Sequence, residues 1–146
     1  MNYAILDEKR KAIVPLLVRL KNDFYLAGGT GLALQLGHRR SVDFDFFTRH
    51  DIDTAKLFVN LKEIFEGGHV LTKIQEERNT LSVLVDGEIK LSFFTYPYPL
   101  VEKLFKNGRL AVASIPDIGC MKLNAIISRA TTKDYVISII SYTRFH

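Results

Sequence analysis

The run Leu26-Ala27-Gly28-Gly29-Thr30-Gly31-Leu32-Ala33-Leu34-Gln35-Leu36-Gly37, continued by His38-Arg39-Arg40-Ser41-Val42-Asp43-Phe44-Asp45-Phe46-Phe47, decides the fold. Phe24 to Ala27 is a short apolar strand. Gly28-Gly29 breaks it, and Thr30 to Leu36 reads as a short helix that Thr30 is suited to cap. Gly37 is its natural stop. A polar loop from His38 to Ser41 follows. Val42 to Phe46 alternates apolar and acidic residues, which is the period of a strand with two distinct faces. The unit is therefore strand, glycine turn, helix and strand.

Outward from that unit, Glu8 to Asn22 has helical spacing at Ile13, Leu16, Leu17 and Leu20, with Pro15 placed near its start or at a kink. Asp51 or Asp53 caps a helix running to about Glu66, ended by Gly67-Gly68. His69–Gln75, Thr80–Val85 and Glu88–Phe94 read as three strands, and Asp86-Gly87 is a strong hairpin signal. A short helix is expected near Leu100–Lys106 and an extended run over Arg109–Ala113. A helix opens at Ser114 and extends to about Arg129. Another begins at Thr131 or Thr132, with Tyr135, Val136, Ile139 and Ile140 as its apolar stripe. The pattern is α+β: a mixed sheet with helices, then a mainly helical part. One domain over 1–146 is expected, with an α/β core over about 1–98 and a helical portion over about 99–146.

Composition narrows the function classes. The 146 residues are 47% hydrophobic and 25% charged, which excludes disordered and collagen-like chains. Twenty Lys and Arg against 16 Asp and Glu give a net charge of +4, compatible with a polyanionic partner without requiring one. The single cysteine, Cys120, excludes an internal disulfide framework and a cysteine-built zinc site; within an apolar helix it is expected to be buried and inert. No apolar run approaches the roughly 20 residues of a membrane span. A cytoplasmic protein without a membrane partner is expected.

Three features lie close together: Gly28-Gly29-Thr30 between strand and helix, the acids Asp43 and Asp45 on the next strand, and the basic loop Arg39-Arg40 between them. Asp43 and Asp45, two apart on a strand, project the same way. Two neighbouring carboxylates repel and gain from a cation between them, and their hard oxygens suit Mg²⁺ or Mn²⁺. The bland reading is an acidic outer face on a solvated strand. Gly28-Gly29 lets backbone N–H groups approach a ligand at a helix N-terminus, and Thr30 adds a hydroxyl, so the turn is a possible phosphate cradle. Alternatively it is a tight turn that needs small residues. It is not a P-loop, because no Lys-Ser/Thr follows at the right offset. Further on, Lys122, Ile126 and Arg129 share a helical stripe, either set toward phosphate or simply in water. Lys133-Asp134 is equally compatible with a site and with an ordinary polar first helical turn.

The block Leu26 to Phe47, the stretch Ile115-Pro116-Asp117-Ile118-Gly119-Cys120-Met121-Lys122-Leu123-Asn124-Ala125 and Lys133-Asp134 resemble the AbiEii/AbiGii-type nucleotidyltransferases, toxins of bacterial abortive-infection and toxin–antitoxin systems. The resemblance implies a polymerase-β-type nucleotidyltransferase fold. It also implies transfer of a nucleotidyl group from a nucleoside triphosphate to an RNA, such as the 3′ end of tRNA, or to a protein. On this resemblance Gly28, Gly29, Thr30, Arg40 and Ser41 hold the nucleotide. Asp43 and Asp45 hold Mg²⁺ or Mn²⁺, and Lys122 and Asp134 join them as catalytic residues. A cognate antitoxin is the implied protein partner. The later strand that carries a third carboxylate in this fold offers Ser92 here. That departure keeps open a second reading, a catalytically degenerate protein that binds nucleotide, RNA or a partner.

Overall fold

The computed structural model describes residues 1–40, 43–106 and 109–129. Seven strands form one mixed sheet in the order β3-β4-β5-β2-β1-β7-β6. They are β1 (Tyr25–Ala27), β2 (Phe44–Thr48), β3 (Leu71–Glu77), β4 (Thr80–Val85), β5 (Ile89–Thr95), β6 (Phe105–Lys106) and β7 (Ala111–Val112). Four α-helices accompany them: α1 (Glu8–Leu17), α2 (Gly28–Leu36), α3 (Thr54–Ile64) and α4 (Ile115–Arg129). β2 runs antiparallel to β1 and parallel to β5.

Alternation along the strands sorts the two faces. Phe44, Phe46, Leu81, Val83, Leu91 and Phe93 are buried with Ile13, Val14 and Leu17 of α1 and Leu57, Leu61 and Ile64 of α3. Burying each such side chain removes roughly 1.5–3 kcal/mol of unfavourable apolar hydration, so this face carries most of the stability. The opposite face holds a smaller cluster, Tyr25, Ala27, Ala111, Ala113, Ile118 and Met121, where α4 covers β1 and β7. α2 and α4 meet at Gly31, where an added methyl would stand 3.3 Å from Cδ1 of Ile118 and 3.4 Å from the Leu26 carbonyl oxygen. That glycine lets two helices close on one strand.

Most element types follow the sequence pattern. Asp53 caps α3 by accepting from the Lys56 N–H, and Gly37 ends α2 in the left-handed region at φ +63°. Asp86 and Gly87 both take positive φ in the tight turn between β4 and β5, where Val85 pairs with Ile89. Pro15 lies inside α1, and the chain tightens to a 3₁₀ turn at Val18–Leu20 rather than continuing helical to Asn22. Proline has no N–H to continue the ladder, and its ring crowds the preceding turn.

Two further expectations fail in the C-terminal half. Leu100–Lys106 is not a helix: Phe105–Lys106 pairs with β7 as an edge strand, so the described part of 99–114 is extended and irregular. Pro97 and Pro99 set the entry, and the backbone N–H groups of Val101 and Glu102 are taken by the Asp117 carboxylate at 2.7 and 3.0 Å. Cys120 is exposed on α4, because its neighbours Ile118 and Met121 occupy the buried stripe. The expected helix from Thr131 lies outside the described residues.

Asp117 fastens the loop before α4 to the start of that helix. Its carboxylate also accepts from Ser114 Oγ at 2.8 Å, and Ser114 Oγ accepts from the Asp117 N–H in return. Burial pushes the carboxyl up, but the Val101 and Glu102 N–H groups and the Ser114 hydroxyl outweigh it and leave it below its ordinary value of 3.8. Asp117→Ala should cost about 2–4 kcal/mol, since charge-assisted hydrogen bonds to a buried group are lost together. A carboxylate held low stabilises fully above its unfolded value and loses that contribution as pH falls through the folded one. Urea midpoints of both proteins should therefore differ at pH 7 and converge as pH drops below 3.8. A gap that persists into that acid range would show that packing, not the anion, is responsible.

Candidate active site

The site lies where β1 gives way to α2. β1 is only three residues long and buried throughout, so the chain leaves the sheet at its centre. Gly28 makes the exit at φ +64°, a conformation that L side chains rarely adopt. Beside it, register places Asp45 opposite Ala27 of β1 and Ser92 of β5. A methyl added at Gly28 would stand 2.8 Å from Oδ2 of Asp45. The turn glycine and the strand carboxylate thus converge directly.

Asp43 sits one residue before β2 and is exposed, whereas Asp45 is half-buried. Burial lifts the Asp45 carboxyl above its ordinary value and the neighbouring Asp43 charge pushes the same way, while Lys90 opposes both. Two like charges interacting across a partly dry face are the condition under which a cation is favoured. Among the described residues no group of three metal-ligating side chains gathers. Two carboxylates are available here, and their oxygens are the hard donors that Mg²⁺ or Mn²⁺ prefers.

Thr30 does not cap α2. The helix begins earlier, at Gly28, with Ala27 as its N-cap and no side-chain cap. Thr30 is buried and donates its hydroxyl to the backbone carbonyl of Asp43. Its role in this geometry is to tie the helix to the approach of the aspartate strand. Gly29 is overlaid by the guanidinium of Arg39: a methyl there would lie 2.5 Å from Nη2. Arg39, rather than the expected Arg40, leans on the turn, and Arg40 is exposed without such a contact. Ser41 and Asp134 lie outside the described residues.

Lys122 is exposed on α4, one turn beyond Ile118, which touches α2 at Gly31. Helix packing brings it toward the α2 side of the sheet, without a hydrogen bond or ion pair among the described residues. Ser92 is buried and shares a hydrogen bond of 2.9 Å with Ser82 Oγ. The position beside Asp45 is filled by this hydroxyl pair, not a carboxylate. Of the basic loop Arg39-Arg40, it is Arg39 that meets the turn, and Lys90 is the cation that sequence reasoning missed. Lys90 was legible as the residue two before Ser92 on the same strand face. Arg39 depends on a loop conformation that no period encodes.

A cavity of about 1000 Å³ lies elsewhere. It is lined by Tyr25, Thr48, Arg49, His50, Asp53 and Lys56 among others. These residues mark the start of β1 and the end of β2, the opposite end of the sheet from Gly28 and Asp43. The convergence of turn and carboxylate, not cavity size, marks the candidate site.

A central mixed sheet in which a strand turns through paired glycines into a helix beside an aspartate-bearing strand is the nucleotidyltransferase architecture. A crystal structure of an H. pylori protein described as a nucleotidyltransferase superposes with a TM-score of 0.51 at 20% identity, covering 86% of this chain and 57% of that one. Residues 16–136 match the family described as nucleotidyl transferase AbiEii toxin, type IV toxin–antitoxin system. The chain belongs to that family. It is also 40% identical over 133 residues to an uncharacterized Aquifex aeolicus (strain VF5) protein, aq_aa25, covering 88% of this chain and 62% of the relative. The chain therefore spans about three-fifths of the length of these relatives.

Gly28→Ala tests the geometry. The methyl group would push the Asp45 carboxyl aside, and the positive φ would cost about 1–2 kcal/mol. The variant should fold with a slightly lower urea midpoint and lose at least tenfold in Mg²⁺-dependent affinity for a nucleoside triphosphate. Wild-type binding, measured by titration calorimetry, would show that this approach is not part of a ligand site.

Proposed function

We propose that the protein transfers a nucleoside monophosphate from a nucleoside triphosphate to an RNA or protein acceptor and acts as the toxin of a toxin–antitoxin pair. The observation that carries this reading is the approach of Asp45 Oδ2 to the Gly28 turn at the head of α2. A helix N-terminus supplies free N–H donors and a partial positive charge for phosphate. A carboxylate beside that anion site would repel the phosphate unless a cation lies between them. Family membership supports the same assignment. RNA such as tRNA as acceptor, a cognate antitoxin as partner and the cytoplasm as location belong to this proposal. No helix among the described residues is long and apolar enough to cross a membrane.

Asp43 and Asp45 would hold Mg²⁺ or Mn²⁺, which when bound supplies positive charge at the phosphate oxygens. The backbone at Gly28 and Gly29 would bind the outer phosphates, with Arg39 and Arg40 adding charge from the loop. Thr30 keeps helix and aspartate strand in register through the Asp43 carbonyl. Lys122 would offset triphosphate charge, Ser41 would contact the nucleotide, and Asp134 would orient the acceptor hydroxyl or take its proton. The acceptor oxygen bonds to the α-phosphorus as the bond to the bridging oxygen breaks, and pyrophosphate leaves.

A second reading, nucleotide binding without transfer, is favoured by Ser92. Its hydroxyl is committed to Ser82 and replaces the third carboxylate. Incubation with each labelled nucleoside triphosphate, Mg²⁺ and total RNA or protein separates the two. Label on an acceptor with release of pyrophosphate supports transfer, and saturable binding without either supports the second reading.

Asp43→Asn and Asp45→Asn should each reduce labelling at least 100-fold. Stability should move the other way at Asp45. A carboxyl whose folded value is raised destabilises the fold once pH rises through that value, so the neutral amide removes a cost at pH 7. Asp45→Asn should therefore melt at or above the wild-type temperature. Full labelling by both variants would refute the mechanism.

A further inference from the structure

The sheet face that carries Asp45 also carries an aromatic row. Tyr25, Phe47 and Phe94 occupy matched positions on β1, β2 and β5. They lie on the Asp45 face because each is two residues from a member of the Ala27–Asp45–Ser92 row. Phe47 and Phe94 have ring centroids 5.3 Å apart, and Tyr25 and Phe47 are stacked at 6.1 Å. Tyr25 is buried, and Phe47 packs against the cluster beneath α4. Phe94 belongs to neither apolar cluster and is half-buried. Among the described residues its ring contact is Phe47 alone.

We infer that Phe94, backed by Phe47, is the stacking surface for the nucleobase of the bound triphosphate. This rests on the reading of Gly28 and Asp45 as the triphosphate site. Phe47 follows Asp45 by two residues, and Phe94 follows Ser92 by two, so the rings begin about 6.5–7 Å along the strands from the carboxylate. A nucleotide whose phosphates lie at the head of α2 must send its sugar and base away from that helix, and the row lies in one of the directions open to it.

The surroundings select a flat, partly polar guest. Thr80 pairs with Phe94, and Asp45 and Ser92 stand two residues back from the two phenylalanines on the same face. An aliphatic partner covering Phe94 and Phe47 would strip water from Asp45 and Thr80 without replacing it. A base offers a π-face to the ring and polar edges to its neighbours, and base–aromatic stacking is tolerant of base identity. The platform thus adds affinity without choosing among the four bases.

The test compares Mg²⁺-dependent binding of each of the four nucleoside triphosphates with that of inorganic triphosphate, which has no base. Wild-type protein should bind nucleoside triphosphates at least tenfold more tightly than inorganic triphosphate. Phe94→Leu, which keeps an apolar side chain but removes the π-face, should lose about tenfold for every nucleoside triphosphate. Its affinity for inorganic triphosphate should stay within twofold, which also reports that the site is folded. Phe94→Tyr should restore nucleotide affinity.

Unchanged nucleotide affinity in Phe94→Leu, or equal losses for both probes, overturns the inference. So does a loss confined to RNA binding, which would give the platform to the acceptor. If inorganic triphosphate binds wild type and Phe94→Leu behaves as wild type, this inference fails and the triphosphate site stands. If wild type binds neither probe, the triphosphate site itself is refuted.

Discussion

The absence of a side chain at Gly28 governs this structure. It allows the chain to leave the centre of a sheet at positive φ, and it leaves room for one oxygen of Asp45 where any other residue would place a carbon. Both effects act at one atom position. Without the first, α2 could not start immediately after β1. Without the second, the strand bearing Asp45 could not pair with β1 in its present register and keep its carboxyl turned toward the helix. Gly31 and Ile118 extend the same economy of space one helical turn further, where α4 closes over α2.

The electrostatics follow from that crowding. Asp45 is held partly out of water beside a second carboxylate, an arrangement a purely structural aspartate would avoid. Lys90 lightens the burden from within the sheet, and Arg39 brings a guanidinium over the turn. Neither neutralises Asp45 through a contact ion pair. The site thereby sets a half-buried carboxylate beside an exposed one at the head of a helix, whose N-terminus carries partial positive charge. A metal–polyphosphate complex complements both, which is why these features are read as a single locus.

Much of this was legible in the residues. Strict alternation in Val42 to Phe46 placed Phe44 and Phe46 inward and Asp45 outward, because side-chain direction in a strand has a fixed period. Asp86-Gly87 announced its hairpin because only such residues accept positive φ cheaply. Thr30 misled because a threonine after glycines has the chemistry of a cap, yet the tertiary partner, the Asp43 carbonyl, won its hydroxyl. The stretch Leu100–Lys106 misled because its apolar spacing is helical while Asp117, far along the chain, takes two of its N–H groups. Cys120 was misplaced by assuming that an apolar helix is buried on every side. Arg39 could not be chosen over Arg40, since adjacent residues in a loop differ only in conformation.

β3 gives the sheet an outer flank with its own consequence. All but Leu71 of its residues are exposed, it includes Lys73, Glu76 and Glu77, and its pairing shifts between Lys73 and Gln75. A row of unsatisfied backbone groups normally recruits further copies, and ionised side chains with a local irregularity frustrate that accretion. The same flank that limits how far the sheet can grow therefore helps keep concentrated solutions of the protein from fibrillating.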